Sequence, residues 1–217
     1  MNKYKGVIFD LDGTLLDTIE DLGDSMNLVL DKYDLPKLSY EEYKLKVGGG
    51  FKGLIINCFP KDSKEAILEE GVKLFQEFYN KNYLNKTKPY EGIIDILNEL
   101  NKNKIKLGIN SNKRDKYTRD LANKFFKEIP FIKVYGERKG IPKKPDPTSA
   151  LEIAKVMGLN SEKIIYIGDS KTDIQTAKNA GMDSIGVLWG FRSKEELMKY
   201  GVDFIVSNPK DILDIIL

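Results

Sequence analysis

From residue 90 onward the chain alternates between two patterns of apolar positions. Short runs, "IKLGIN" (Ile105 to Asn110), "FIKVYG", "KIIYIGD", "SIGVLW" and "DFIVS", have the length and β-branched content of buried strands. Between them, "GIIDILNELNKN", "RDKYTRDLANKFFK", "PTSALEIAKVMG" and "KTDIQTAKNAG" repeat apolar residues at helical spacing. Gly158 and Gly181 follow two of these helices, where a residue of positive φ ends a helix. Alternating strands and helices predict an α/β fold with a mainly parallel sheet covered on both faces. The first strand, Gly6 to Phe9, belongs to that set.

Residues 17–87 read differently. "IEDLGDSMNLVLDKYDLP", "SYEEYKLKV", "FKGLIINCF" and "SKEAILEEGVKLFQEFYNKNYL" are helical in pattern, with no convincing strand among them. The expected organisation is therefore a core of residues 1–16 and 88–217 interrupted by an α-helical cap of residues 17–87. An insertion just after the first strand sits above the carboxyl ends of the strands, where open α/β sheets bind ligands. That position suits a lid; an appendage that only stabilises is the other reading.

Composition narrows the chemistry. The chain has 217 residues, enough for one core plus a small accessory domain. Lys+Arg is 35 and Asp+Glu 33, a net charge of +2, with none of the basic excess that nucleic acid or an anionic membrane would need. No histidine is present, which removes Ser-His-Asp and Cys-His catalysis and any His-ligated metal. The single cysteine, Cys58, lies in the apolar "LIINCFP" and reads as a structural thiol in a protein of a reducing compartment. The apolar run before Asp10 is too short for a signal peptide or a membrane span, so a cytoplasmic protein is expected.

The candidate chemistry begins at "VIFDLDGTLLDT" (Val7 to Thr18), where a buried strand ends in Asp10 and Asp12. Two close carboxylates repel, and a hard divalent cation such as Mg²⁺ resolves the conflict. A calcium loop does not fit, because Thr14 and Leu15 fall where a third ligand and a glycine are required. A plain strand-to-turn ending would also use Asp and Gly. "YIGDSKTD" places Asp169 and Asp173 after another strand, four apart and on one face if helical, although Ser170 and Asp173 could equally form a capping box. "GINSNK" places Ser111 and Asn112 after a third strand with a helix following, either as an oxyanion seat or as an ordinary helix cap. "KKPDP" sets Lys143 and Lys144 in a loop stiffened by Pro145 and Pro147, which alone reads as a charged surface loop.

Taken together, D10-L-D-G-T14, S111-N-K113, K144-P-D-P147 and G168-D-S-x-x-D173 with A177-x-x-A-G181 resemble the haloacid dehalogenase superfamily of phosphotransferases. The likeness runs through nearly the whole chain. The helical insertion resembles that superfamily's cap. "EGIIDILNELNKNKIKLGINSNK" and "GVLWGFRSKEELMKYGVDFIVSNPKDI" are similar to its phosphoglycolate-phosphatase-like branch. The resemblance implies a Rossmann-like core and a Mg²⁺-dependent phosphatase acting on small phosphomonoesters, with a small phosphorylated metabolite as its partner. It implies no nucleic acid or membrane partner, and a monomer or homodimer.

By the same resemblance Asp10 is the nucleophile and Asp12 the general acid and base. Mg²⁺ is held by Asp10, the backbone carbonyl of Asp12 and Asp169, with Asp173 on a ligand water or behind the ligands. Ser111 and Lys144 bind phosphate oxygens, with Asn112 beside Ser111, and Gly13 permits the turn after Asp12. Lys52, after the glycines Gly48–Gly50, is a candidate for meeting an anionic group of the substrate beyond the phosphate. Asp12 argues against a dehalogenase or a phosphonoacetaldehyde hydrolase. A sugar-phosphate mutase, a pyrophosphatase or nucleotidase, and a receiver-like or non-catalytic phosphate-binding module remain open at this point. A P-loop does not, because no Gly-Lys-Ser/Thr follows the triple glycine.

Overall fold

All four residues of strand β1 (Gly6–Phe9) are buried, which explains why the strand reads as a continuous apolar run rather than an alternation. The computed structural model describes residues 3–217. After β1 come β2 (Leu16–Asp17), α1 (Ile19–Lys32), α2 (Tyr40–Lys46), α3 (Gly50–Cys58), α4 (Glu65–Asn82), β3 (Lys88–Pro89) and α5 (Ile93–Lys102). Then follow β4 (Lys106–Arg114), α6 (Asp115–Phe125), β5 (Phe131–Glu137), α7 (Thr148–Met157), β6 (Ile164–Gly168) and α8 (Lys171–Asn179). The chain ends with β7 (Asp183–Val187), α9 (Lys194–Lys199), β8 (Phe204–Val206) and α10 (Asp211–Ile216). It divides into two compact units, Met1–Leu16 with Pro89–Leu217, and Asp17–Lys88.

The first unit is a parallel sheet of six strands in the order β5-β4-β1-β6-β7-β8, flanked by helices, the Rossmann-like α/β arrangement the motifs imply. Phe9 pairs with Ile109 on one side and Ile167 on the other. The residues that follow each strand therefore leave the carboxyl edge at one level. Chain order reverses at β1, and that edge at a reversal is where parallel sheets bind ligands. On one face of the sheet Ile8 and Tyr166 pack with Ala150, Ile153 and Met157 of α7 and Ala177 of α8 in a dry cluster.

The second unit is helical. Leu22, Met26, Val29 and Leu30 of α1, Tyr43 of α2, Phe51, Leu54 and Ile55 of α3, and Phe75 and Tyr79 of α4 form its buried set. Phe51 stands edge-on to Phe75 at 4.7 Å between ring centres. A capping box between Ser39 and Glu42 opens α2. Buried Asp21 accepts from the N–H groups of Lys86 and Thr87 and the Thr87 hydroxyl, tying the end of the unit to its start. Gly48, Gly49 and Gly50 all have positive φ, and a Cβ on Gly53 would meet the Gly48 carbonyl at 2.2 Å. The glycines are required by the shape of this turn.

Two expectations change. Strand β4 runs on to Arg114, with a register irregularity between Asn110 and Arg114, so Ser111 and Asn112 lie in a strand and not at a helix N-terminus. Asp169 precedes α8 and is not on it, so it meets Asp173 through the turn at Ser170 rather than through helical spacing. The short helices α9 and α10, six residues each, carry too few apolar repeats to be read from pattern.

Candidate active site

Asp10 is the first residue after β1, and Asp169 the first after β6. Asp173, in the first turn of α8, accepts from the Ser170 N–H and hydroxyl through Oδ2, completing the capping box. Gly168 makes this close packing possible, since a Cβ there would lie 2.3 Å from Asp173. One oxygen from each of Asp10, Asp169 and Asp173 falls within 4.8 Å of the others. The carboxylate of Asp12 is not among them.

Three buried anions at this spacing oppose one another. Burial first, and then the charge of Asp173, push Asp10 up to about 7, against the pull of Lys144. Burial, Asp173 and Asp10 likewise raise Asp169 well above the carboxylate range, against the Phe191 N–H and Arg192. The donor set is all hard oxygen, and its crowding is what a small divalent cation would relieve. The residues present therefore fit Mg²⁺ on the chemistry of their donors.

Lys144 supplies the cation the chain itself provides. Its Nζ is 2.9 Å from Asp10 Oδ1 and 2.6 Å from Asp173 Oδ1. Burial alone would lower its pKa, but Asp10 and Asp173 outweigh burial and hold the ammonium charged. Asn112 braces this lysine: its Nδ2 donates to the Lys144 carbonyl at 3.1 Å, and the Lys144 N–H donates to its Oδ1 at 2.9 Å. The Asn112 amide thus holds the backbone of the lysine loop. Asn179 Nδ2 ties the same loop to α8 through the Pro145 carbonyl. Lys143 points elsewhere and pairs with Glu137.

Ser111 is buried two residues past Ile109, on the same sheet edge as Asp10, and its Oγ accepts from the Lys113 N–H. Gly13 has φ +79°, and a Cβ there would stand 2.4 Å from Asp169 Oδ2, so the turn after Asp12 demands glycine twice over. Lys52 lies in the first turn of α3, in the helical unit, exposed and paired with Glu65.

Lys113 was quoted in a motif but given no role. Lys113, with its side chain 2% exposed, reaches both carboxylate oxygens of Asp12, at 2.9 and 3.1 Å. The signal was there: Ser111 and Lys113 are two apart, and in a strand such residues share a face. Reading "SNK" as a helix start concealed that parity.

At the switch point of the parallel sheet stand clustered carboxylates, a buried lysine between two of them and a second lysine on Asp12, an arrangement of acids and lysines without histidine. The sequence profile of the family described as "Haloacid dehalogenase-like hydrolase" matches residues 7–187, and the chain belongs to that family. Within it the chain is phosphoglycolate-phosphatase-like. It is 30% identical to the phosphoglycolate phosphatase of Aquifex aeolicus over 95% of this chain and 94% of that protein. It is 27% identical to that of Vibrio parahaemolyticus, over 98% and 96%. A solved structure from Lactobacillus delbrueckii subsp. bulgaricus, 32% identical, superimposes with a TM-score of 0.93 over 99% of each chain. Among the described residues no helix is long and apolar enough to cross a membrane.

Proposed function

We propose that this chain is a Mg²⁺-dependent phosphatase of small phosphomonoesters, phosphoglycolate or a close analogue, acting through an aspartyl-phosphate on Asp10. The observation that carries the reading is Lys144 Nζ lodged between Asp10 and Asp173, two of the three clustered carboxylates. An anionic nucleophile must approach an anionic phosphoryl group, and a buried ammonium at 2.9 Å from it lowers that repulsion. The phosphoglycolate phosphatases among the relatives support the substrate class.

In this reading an Asp10 oxygen attacks phosphorus, and the bond from phosphorus to the ester oxygen breaks. Asp12 gives its proton to the departing alkoxide. It then takes a proton from the water that attacks the aspartyl-phosphate, releasing inorganic phosphate and restoring Asp10. Such proton transfer contributes roughly 10²–10⁴-fold. Lys113 keeps the Asp12 carboxylate aimed, and Ser111 and Lys144 bind the non-bridging oxygens. Asp10, Asp169 and the Asp12 backbone carbonyl would hold Mg²⁺ with Asp173 behind them, and the ion would supply positive charge to the phosphoryl oxygens. Residues 17–87 act as a cap that selects the substrate, and Lys52 would leave Glu65 to meet an anionic group beyond the phosphate.

The test is phosphate release from phosphoglycolate and a panel of other phosphomonoesters, before and after chelation and Mg²⁺ repletion. Acid quenching with ³²P-labelled substrate should trap label on the protein, and Asp10→Asn should abolish it. Turnover without covalent label, or full activity in excess chelator, overturns the scheme.

A further inference from the structure

The segment Trp189–Phe191, just after β7, touches the site in three places. Trp189 Nε1 donates to the Thr14 carbonyl at 3.0 Å. The Phe191 N–H donates to Asp169 Oδ2 at 2.7 Å. Between them, a Cβ on Gly190 would stand 2.3 Å from Asp169 Cβ and 2.5 Å from the Gly13 carbonyl oxygen. The segment is therefore pressed against both the loop that follows Asp12 and the carboxylate after β6.

Thr14 has few other tethers. Its N–H reaches the Leu11 carbonyl only at 3.3 Å, and its hydroxyl is buried with no partner among the described residues. The indole bond is the shorter of these two backbone tethers, and it acts two residues past Asp12. We infer that Trp189 is a positioning residue: its indole N–H fixes the Asp12–Thr14 loop against the same segment that orients Asp169. One three-residue stretch then sets the distance between the acid–base loop and the cation-facing carboxylate. Beyond two strand runs, the tail was legible in the sequence only as a family likeness. The spacing W-G-F gives it a physical content: a donor from a side chain, a residue without Cβ at the closest approach, and a donor from the backbone.

The inference rests on the proposed roles of Asp12 and Asp169. Its test exploits the fact that the chain has one tryptophan. Replacing it with 3-benzothienylalanine puts sulfur where the indole N–H stood and keeps the ring shape; Trp189→Phe is the second variant. For the isostere, kcat on phosphoglycolate should fall about tenfold with KM within twofold. Mg²⁺ affinity measured by calorimetry should weaken about fivefold, the scale of one lost hydrogen bond. The melting temperature should stay within about 2 °C, since one partly exposed hydrogen bond is lost. Phe should show the same direction with a larger loss. Wild-type kcat and Mg²⁺ affinity in the isostere would overturn the inference, and so would a loss that merely tracks a lowered melting temperature. If the wild-type protein turns over no phosphomonoester, the phosphatase reading fails on that result. The Mg²⁺ affinities of wild type and isostere then decide the positioning role by themselves.

Discussion

Lys113 Nζ sits 2.9 Å and 3.1 Å from the two carboxylate oxygens of Asp12, a forked contact made by a buried lysine to a carboxylate that faces partly outward. A buried ammonium shared by both oxygens holds the head of the carboxylate in place through a charge-assisted contact. Lys113→Met keeps the apolar stem in its buried channel and removes only the charge. We expect kcat on phosphoglycolate to fall tenfold or more with KM changed less than threefold. A larger effect on KM than on kcat would move Lys113 from the acid–base side to substrate binding.

Asp10→Asn separates catalysis from stability. An amide is a poor nucleophile, so turnover should fall by at least about a thousandfold. The same change removes one of three crowded anions while Asp173 still holds Lys144. Without metal at pH 8, the variant should melt at or above the wild-type temperature. A variant that melts clearly lower shows that the Asp10–Lys144 pair outweighs the repulsion.

The crowding also sets a pH dependence. Burial and Asp173 raise Asp10 from 3.8 to about 7, and Asp169 is raised as well. A carboxyl raised on folding binds more protons folded than unfolded between its two pKa values, so it subtracts stability as pH climbs through that window. The metal-free protein should therefore lose about 5 °C or more in melting temperature between pH 5.5 and pH 8. Carboxyls held low, such as Asp183 beside Lys3, are already ionised at pH 5.5 and do not oppose the trend. Mg²⁺ should stabilise more at pH 8 than at pH 5.5. Equal stabilisation at both would mean that the cation does not bind this cluster.

Cys58 gives an independent check on the helical unit. Burial pushes its thiol up to about 11, against the charge of Lys46. The thiolate is the reactive form, so at pH 8 the folded protein should react with iodoacetamide at least about tenfold more slowly than the urea-unfolded chain. Equal rates would show that the α3 end is open.

The central strands β1 and β6 were legible because they are buried throughout, so each reads as an uninterrupted apolar run ending at an aspartate. Asp10 and Asp169 each stand directly after an apolar strand, which draws attention to them, whereas Lys144 lies in a loop that alone reads as surface and was singled out only by the family resemblance. The stretch from Ser111 to Arg114 was misread for the opposite reason. It continues β4 with polar side chains, Lys113 reaching Asp12 and Asn112 bonding the Lys144 backbone, so the apolar pattern stops before the strand does. Of the two readings offered for Asp173, helical spacing to Asp169 and a capping box with Ser170, the structure shows the capping box. Trp189 was read only as the end of the strand run "SIGVLW"; β7 stops at Val187, and the bond Trp189 makes joins residues 175 positions apart, beyond what local pattern shows.

Asp173 serves two masters. One of its oxygens closes the start of α8, and the other holds the ammonium of Lys144. A substitution that tightens the helix start therefore disturbs the lysine, and one that retunes the lysine frays the helix. Random change at this position has no neutral direction to take. Improvement of either property alone must come from elsewhere in the chain, which makes position 173 a poor target for engineered thermostability and a sensitive one for loss of function.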